Sequence, residues 1–128
     1  MKEILDKRRY ERFQVPTYSA YAAFRSHRPG SFIMGKIVDI SLGGLAFRYF
    51  PRPKASNRSS HIDIFLMDGS FSLNKVPVQT ISDFEIDSET SFGLETRRCS
   101  VQFGDLTDNQ KFNLRYFIHT YSSAEPEP

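Results

Sequence analysis

The stretch Phe32-Ile33-Met34-Gly35-Lys36-Ile37-Val38-Asp39-Ile40-Ser41-Leu42-Gly43-Gly44-Leu45-Ala46-Phe47-Arg48-Tyr49-Phe50 decides the fold. Its first part alternates. Ile33, Gly35, Ile37 and Asp39 face one way, and Phe32, Met34, Lys36, Val38 and Ile40 the other. Period two is the mark of a strand with one face buried. Gly43-Gly44 breaks the run and residues 45–50 resume it, which predicts two strands joined by a short turn.

The same pattern continues outward from this stretch. Upstream, Tyr18, Ala20, Ala22 and Phe24 share one face at period two, and Arg28-Pro29-Gly30 is a turn signal. Pro16 pushes Val15 toward extended backbone. Downstream, residues 51–60 form a polar loop rich in Pro and Ser, and residues 61–67 read as a strand with Ile62, Ile64 and Leu66 on one face. Asp68-Gly69 is a hairpin turn signal. Residues 71–84 read as a further strand in which Pro77 predicts an edge or a bulge. Residues 85–90 read as an acidic loop, and residues 92–103 as the final strand or strand pair.

After Gly104 the period changes. Thr107 with Gln110 three residues on predicts a capping box, and Leu114, Phe117, Ile118 and Tyr121 fall on one face of a helix. The expected fold is mainly all-β: a six-stranded antiparallel barrel with a C-terminal α-helix. The 12 Phe and 6 Tyr supply rings to fill it, with no Trp. The expected organisation is an N-terminal arm over residues 1–13, the barrel with its helix over 14–121, and a disordered Glu/Pro-rich tail over 122–128.

The chain of 128 residues suits one domain with a single core. No apolar run is long enough for a membrane span, and the charged N-terminus lacks an apolar leader. The lone Cys99 cannot form an internal disulfide, so a cytoplasmic location is expected. The net charge of +2 conceals an asymmetry. Residues 1–60 hold 12 Lys and Arg against 4 Asp and Glu, and residues 61–128 hold 5 against 11. A basic half suggests an anionic partner, unless the halves interleave in the fold and cancel at the surface.

Enzymatic readings find no support. His27, His61 and His119 are not at metal-ligand spacing with one another or with Cys99, so no metal site and no cofactor are expected. Ser41 lacks the setting of a nucleophile elbow, and no phosphate-binding glycine loop of the Walker or dinucleotide type is present. Acidic pairs such as Asp83/Glu85 and Asp87/Glu89 are expected in a solvated loop, and Cys99 as a small half-buried strand residue. The chain reads as a binding module.

Two polar clusters are surplus to a β-rich core. The first is Arg8-Arg9-Tyr10-Glu11-Arg12. Arg8 and Arg12 share a face on a helical turn, or straddle a ligand in an extended arm. The guanidinium fork suits phosphate or the O6/N7 edge of guanine. A basic arm alone is more often merely solvated. The second cluster is Asp39-Ile40-Ser41-Leu42-Gly43-Gly44. An Asp carboxylate accepts from guanine N1–H and N2–H₂, a Ser hydroxyl bonds phosphate or base, and the two glycines let backbone approach a ligand. The same residues also make an ordinary β-turn.

The pair R-x-x-x-R (Arg8, Arg12) followed by D-x-S-x-x-G (Asp39, Ser41, Gly44) resembles the PilZ domain. So does the apolar text from Gly35 to Leu45, and Val101-Gln102-Phe103-Gly104-Asp105-Leu106-Thr107 leading into a helix. The resemblance covers residues 6–121. It implies a six-stranded PilZ-like barrel and binding of cyclic di-GMP, a bacterial second messenger. By position, Arg8 and Arg12 would grip phosphate and guanine edges, with Arg9 adding a contact. Asp39 and Ser41 would hold a guanine, while Gly43 and Gly44 keep the turn open. Lys7, before the first Arg, would influence whether one ligand or an intercalated pair binds. Arg97-Arg98-Cys99 departs from the family text and either adds contacts or faces solvent.

The expected role is a cyclic di-GMP receptor whose arm closes over the barrel surface and which relays binding to a downstream protein, as a monomer or a ligand-dependent dimer. One alternative is a PilZ-like adaptor that binds protein and no nucleotide. Another is a small barrel for single-stranded nucleic acid. The carboxylate of Asp39 disfavours this second alternative, because it repels a phosphate backbone.

Overall fold

The computed structural model describes residues 12–14, 20–24, 33–51, 60–87 and 96–121. Among the described residues, seven strands precede one helix: β1 (Phe13–Gln14), β2 (Ala20–Phe24), β3 (Met34–Ile40), β4 (Gly44–Tyr49), β5 (His61–Leu66), β6 (Ser72–Asp87), β7 (Thr96–Phe103) and α1 (Asp108–Tyr121). All pairings are antiparallel, in the order β3-β2-β5-β6-β7-β4, and β4 pairs back with β3. The six strands close into a barrel. The short β1 adds to β3 beyond the reach of β2, with Phe13 opposite Ile40 and Gln14 opposite Asp39. Strands from the basic half (β2, β3, β4) form one arc of the barrel and those from the acidic half (β5, β6, β7) the other. Among the described strands, the halves pair at the β2/β5 and β4/β7 seams.

The period-two pattern fills the interior as expected. Ala20, Ala22 and Phe24 on β2, Ile62, Ile64 and Leu66 on β5, and Leu45, Phe47 and Tyr49 on β4 are all buried in one core cluster. Phe24 and Phe47 meet edge to face at 5.7 Å, a favoured ring geometry. The Asp68-Gly69 turn closes the β5–β6 hairpin. Gly69 has φ +82°, and the amide of Leu66 donates to the carbonyl of Phe71.

Pro77 occupies neither a sheet edge nor a bulge. It stands where β6 changes partners, since residues up to Pro77 pair with β5 and those from Val78 pair with β7. Its carbonyl accepts from Gly104, just past the last β7 pair, so its missing N–H falls where the ladder has ended.

Strand β6 runs on through Asp87, so residues 85–87 of the acidic loop expected at 85–90 are strand. Residues 85 and 87 lie in register with Arg97 and Thr96, where opposite charge and pairing extend the strand. Residues 88–95 lie outside the described residues, as do 15–19, 25–32, 52–59 and most of the predicted arm and tail. Of the stretch 92–103 read as the final strand or strand pair, the described part, Thr96–Phe103, is one strand.

Beyond its buried apolar face, the helix is linked to the barrel by the hydrogen bonds of Gln110. Thr107 and Gln110 form the predicted capping box: the Gln110 amide donates to Thr107 Oγ1, and the Thr107 amide to Gln110 Oε1, both at 3.0 Å. The other end of the same side chain, Nε2, donates to the carbonyls of Asn74 and Lys75 at 3.3 and 3.1 Å. Those carbonyls belong to a bulge in β6, where Lys75 takes φ 54° and its amide is held by Asp63 Oδ1 at 2.9 Å.

Gln110→Glu therefore separates local from tertiary effects. On an isolated helix a carboxylate at this position would help the cap and the dipole. In this fold it would face two carbonyls with no donor. The expected result is a loss of about 1–2 kcal/mol in urea unfolding. An unchanged or raised midpoint would show that the bulge contact contributes nothing.

Candidate functional site

The decisive local feature is a β-bulge in β3 at Val38. Ile37 lies opposite Phe47, but Asp39 lies opposite Ala46 and Ile40 opposite Leu45. The extra residue breaks the strict alternation read from the sequence. Asp39 leaves the face of Ile37 and joins Ala46 on the outer face of the barrel, both side chains covered, while Ile40 turns inward and is fully buried. Opposed residues of an antiparallel pair share a face. A one-residue shift thus moves a carboxylate from the core side of the strand to the outer face of the barrel.

That carboxylate is covered by two arginines. Arg12 Nη1 donates to Asp39 Oδ1 at 2.5 Å and Arg98 Nη2 to Oδ2 at 3.1 Å. Arg12 comes from just before β1, and Arg98 from β7, reaching over the small Ala46 of β4. The Asp39 side chain is 10% exposed, against 46% for Arg12 and 29% for Arg98. Both carboxylate oxygens are satisfied, and both guanidinium groups keep donors facing solvent.

The turn after Asp39 is built by Ser41. Its hydroxyl accepts from the amides of Gly43 and Gly44 at 3.0 and 3.2 Å and lies 3.3 Å from the Gly44 carbonyl. The Ser41 amide donates to the Gly44 carbonyl at 2.8 Å, and the Phe103 amide to the Gly43 carbonyl at 2.8 Å, which pins the turn to the end of β7. Ser41 is buried and its lone pairs serve the turn. Gly44 has a second task. A Cβ there would come within 2.2 Å of the Val101 carbonyl, so glycine permits β4 to approach β7.

Consecutive arginines on β7 do opposite jobs. Arg98 faces out toward Asp39. Arg97, in register with the buried Tyr49, bonds Asp83 through Nε at 2.8 Å and through Nη2 to its carbonyl at 2.9 Å. Tyr49 donates its hydroxyl to Asp83 Oδ2 at 2.6 Å. Burial, then this carboxylate neighbour, push the Tyr49 hydroxyl well above the usual tyrosine range. Asp83 is thus part of a half-buried polar cluster and not of a solvated loop, because β6 continues past it. Cys99, beside it in register, is fully buried where half-burial was expected. Desolvation, with help from Asp83, pushes its thiol up to about 12, so it stays protonated and unreactive.

Of the sequence-predicted site residues, Arg12, Asp39, Ser41, Gly43 and Gly44 gather at one edge of the barrel. Arg8 and Arg9 lie outside the described residues. Arg98 is the contributor that motif reading did not assign. It lies 59 residues from Asp39, and only the β3–β4–β7 register brings the two together. An open groove of about 520 Å³ lies beside the turn, lined by Leu42, Gly43, Leu106, Lys111 and Arg115 among others. Among the described residues, no cluster of three His, Cys, Asp or Glu side chains suited to a metal ion occurs, and no helix is long and apolar enough to cross a membrane.

Comparison with solved structures finds the same fold in the PilZ domain of YcgR from Escherichia coli with c-di-GMP. The TM-score is 0.67 at 20% identity, covering 90% of this chain and 91% of that one. The MrkH–c-di-GMP complex of K. pneumonia gives 0.65 at 19% identity, covering 88% of this chain and 51% of that one. The longer YcgR chain from Escherichia coli in complex with c-di-GMP gives 0.61 at 21%, covering 89% and 45%. The chain thus spans about half the length of the two larger proteins. A comparison with curated proteins finds no match. The family model described as PilZ domain matches residues 6–119, and the chain belongs to the PilZ domain family.

Proposed function

We propose that the protein is a cyclic di-GMP receptor that binds the dinucleotide at the Asp39 edge of the barrel and passes the bound state to a partner protein. The observation that carries this reading is the Asp39 carboxylate held between Arg12 and Arg98. A carboxylate for a guanine Watson–Crick edge and two guanidinium groups for phosphate or the guanine Hoogsteen edge stand within one ligand's reach. The related domains solved with c-di-GMP support the same ligand class.

Magnitudes favour exchange of these ion pairs for ligand. Arg12 is nearly half exposed, and pairs of this kind are worth about 0–1 kcal/mol. Hydrogen bonds to charged groups return about 1.5–3 kcal/mol each. A ligand that offers a guanine to Asp39 and phosphates to the arginines exchanges two internal pairs for a larger number of charge-assisted contacts. Arg12 already sits on Asp39, so this end of the arm is ordered before binding. Less ordering entropy then opposes closure than for an arm held nowhere. Ser41, Gly43 and Gly44 hold the turn at the height where Asp39 presents its carboxylate, and Arg8 and Arg9 supply further guanidinium groups.

Three arginines test the assignment. Arg12→Ala and Arg98→Ala are each expected to weaken cyclic di-GMP binding at least tenfold in calorimetric titration while leaving the fold intact. Arg97→Ala is expected to lower the melting temperature through loss of the Asp83 cluster. Unchanged affinity in both of the first two variants would remove this site.

A further inference from the structure

We propose that the outward row Lys36–Arg48–Arg98, ended by Phe84, extends the nucleotide-binding surface. Lys36 and Arg48 take phosphate charge, and Phe84 carries a base. This rests on the receptor reading and names residues outside both sequence motifs.

The row follows from the register. Lys36 on β3 lies opposite Arg48 on β4, Arg48 opposite Arg98 on β7, and Arg98 opposite Phe84 on β6. Four neighbouring strands therefore present one lateral line of side chains on the outer face. At ordinary strand spacing the three cations lie within about 10 Å. Like charges directly opposite one another in a sheet are unfavourable. Among the described residues, Lys36 and Arg48 have no acidic partner, and the carboxylate of Asp39 is already shared by Arg12 and Arg98. Structural economy does not account for three stacked cations. An anion lying across them does.

Two further observations choose a nucleotide as that anion. Phe84 ends the row, a residue 48% exposed on the far side of Arg98 from Arg48. An exposed ring next to a guanidinium is a stacking place for a base. The neighbouring line toward Asp39 carries only the small side chains of Ser100 and of Ala46, itself fully buried, so no bulky group stands between the row and the Asp39 edge. The row and the Asp39 edge share Arg98, so one ligand assembly spans both. The charge favours phosphate, and the ring with the small side chains beside the row favours a planar base.

The test is titration of the full chain with cyclic di-GMP at two salt concentrations. Wild type is compared with Arg48→Ala, Lys36→Ala, Arg48→Lys and Phe84→Ala. Arg48→Ala is expected to weaken binding at least fivefold and to flatten the salt dependence, with Lys36→Ala acting in the same direction. Arg48→Lys should keep the salt slope. Phe84→Ala should weaken binding about threefold or more with the salt slope unchanged. Without ligand, Arg48→Ala should melt at the same or a higher temperature, because a repulsion has been removed. If wild type binds and the Arg48, Lys36 and Phe84 variants to alanine stay within twofold of it, the row is not part of the site while the receptor reading stands. If wild type does not bind, both readings fall.

Discussion

Phe117→Ala is expected to cost about 3–5 kcal/mol of folding stability. Phe117 is fully buried on the inner face of α1. Its ring lies 5.0 Å from that of Phe71, where the chain enters β6, and 5.5 Å from that of Tyr121. Tyr116 closes the cluster, 6.4 Å from Phe71 and 6.2 Å from Tyr121. Truncation removes the central ring and leaves a cavity between the helix and the barrel that rigid aromatic neighbours cannot collapse to fill. Against the 5–15 kcal/mol typical of a domain, about a fifth or more of the total would go. Urea unfolding measures it, with Phe112→Ala as the control. Phe112 is 67% exposed on the same helix and its loss should change stability by no more than about 0.5 kcal/mol. Equal effects from the two variants would mean that α1 does not pack on the barrel through its Phe117 face.

Gly35→Ala is expected to destabilise by about 3 kcal/mol or more, the upper end for overpacking. A Cβ at position 35 would come within 2.1 Å of the Arg48 carbonyl and 2.7 Å of the Phe47 ring. Neither neighbour can yield. The carbonyl is backbone of the paired strand, and Phe47 is fully buried between Phe24 and Tyr49. Strands β3 and β4 would have to separate beside the bulge that sets Asp39. Gly69→Ala is the comparison. Nothing lies within 4 Å of its added Cβ, so only the cost of a left-handed residue remains, about 1–2 kcal/mol. A Gly35→Ala protein as stable as wild type would contradict the close approach of β3 to β4.

Much of the fold was legible because it rests on local chemistry. Alternating apolar residues in β2 and β5, the Asp68-Gly69 turn, the Thr107/Gln110 box and the Leu114, Phe117, Ile118 stripe each state their structure within a few residues. The candidate site was legible only in part, for a non-local reason. Asp39 and Ser41 were identifiable by spacing, but the face that Asp39 occupies depends on a bulge at Val38, and composition does not announce a bulge. Arg98 resembled Arg97 in every sequence respect. Adjacent strand residues point to opposite faces, and only the pairing of β7 with β4 decides which arginine faces Asp39 and which Asp83. Asp83 was misplaced into a loop because neighbouring acids imitate one. The strand continues there because Tyr49 and Arg97 satisfy the carboxylate.

The central claim is that Asp39, covered by Arg12 and Arg98, reads a guanine base of a cyclic dinucleotide. The most direct measurement is calorimetric titration of the full chain with cyclic di-GMP and with cyclic di-AMP, wild type beside Asp39→Ala. The expected result is saturable binding with a clear guanine preference in wild type, and loss of most of that preference in the variant. Wild type that fails to bind cyclic di-GMP, or a variant with the preference intact, would contradict the claim.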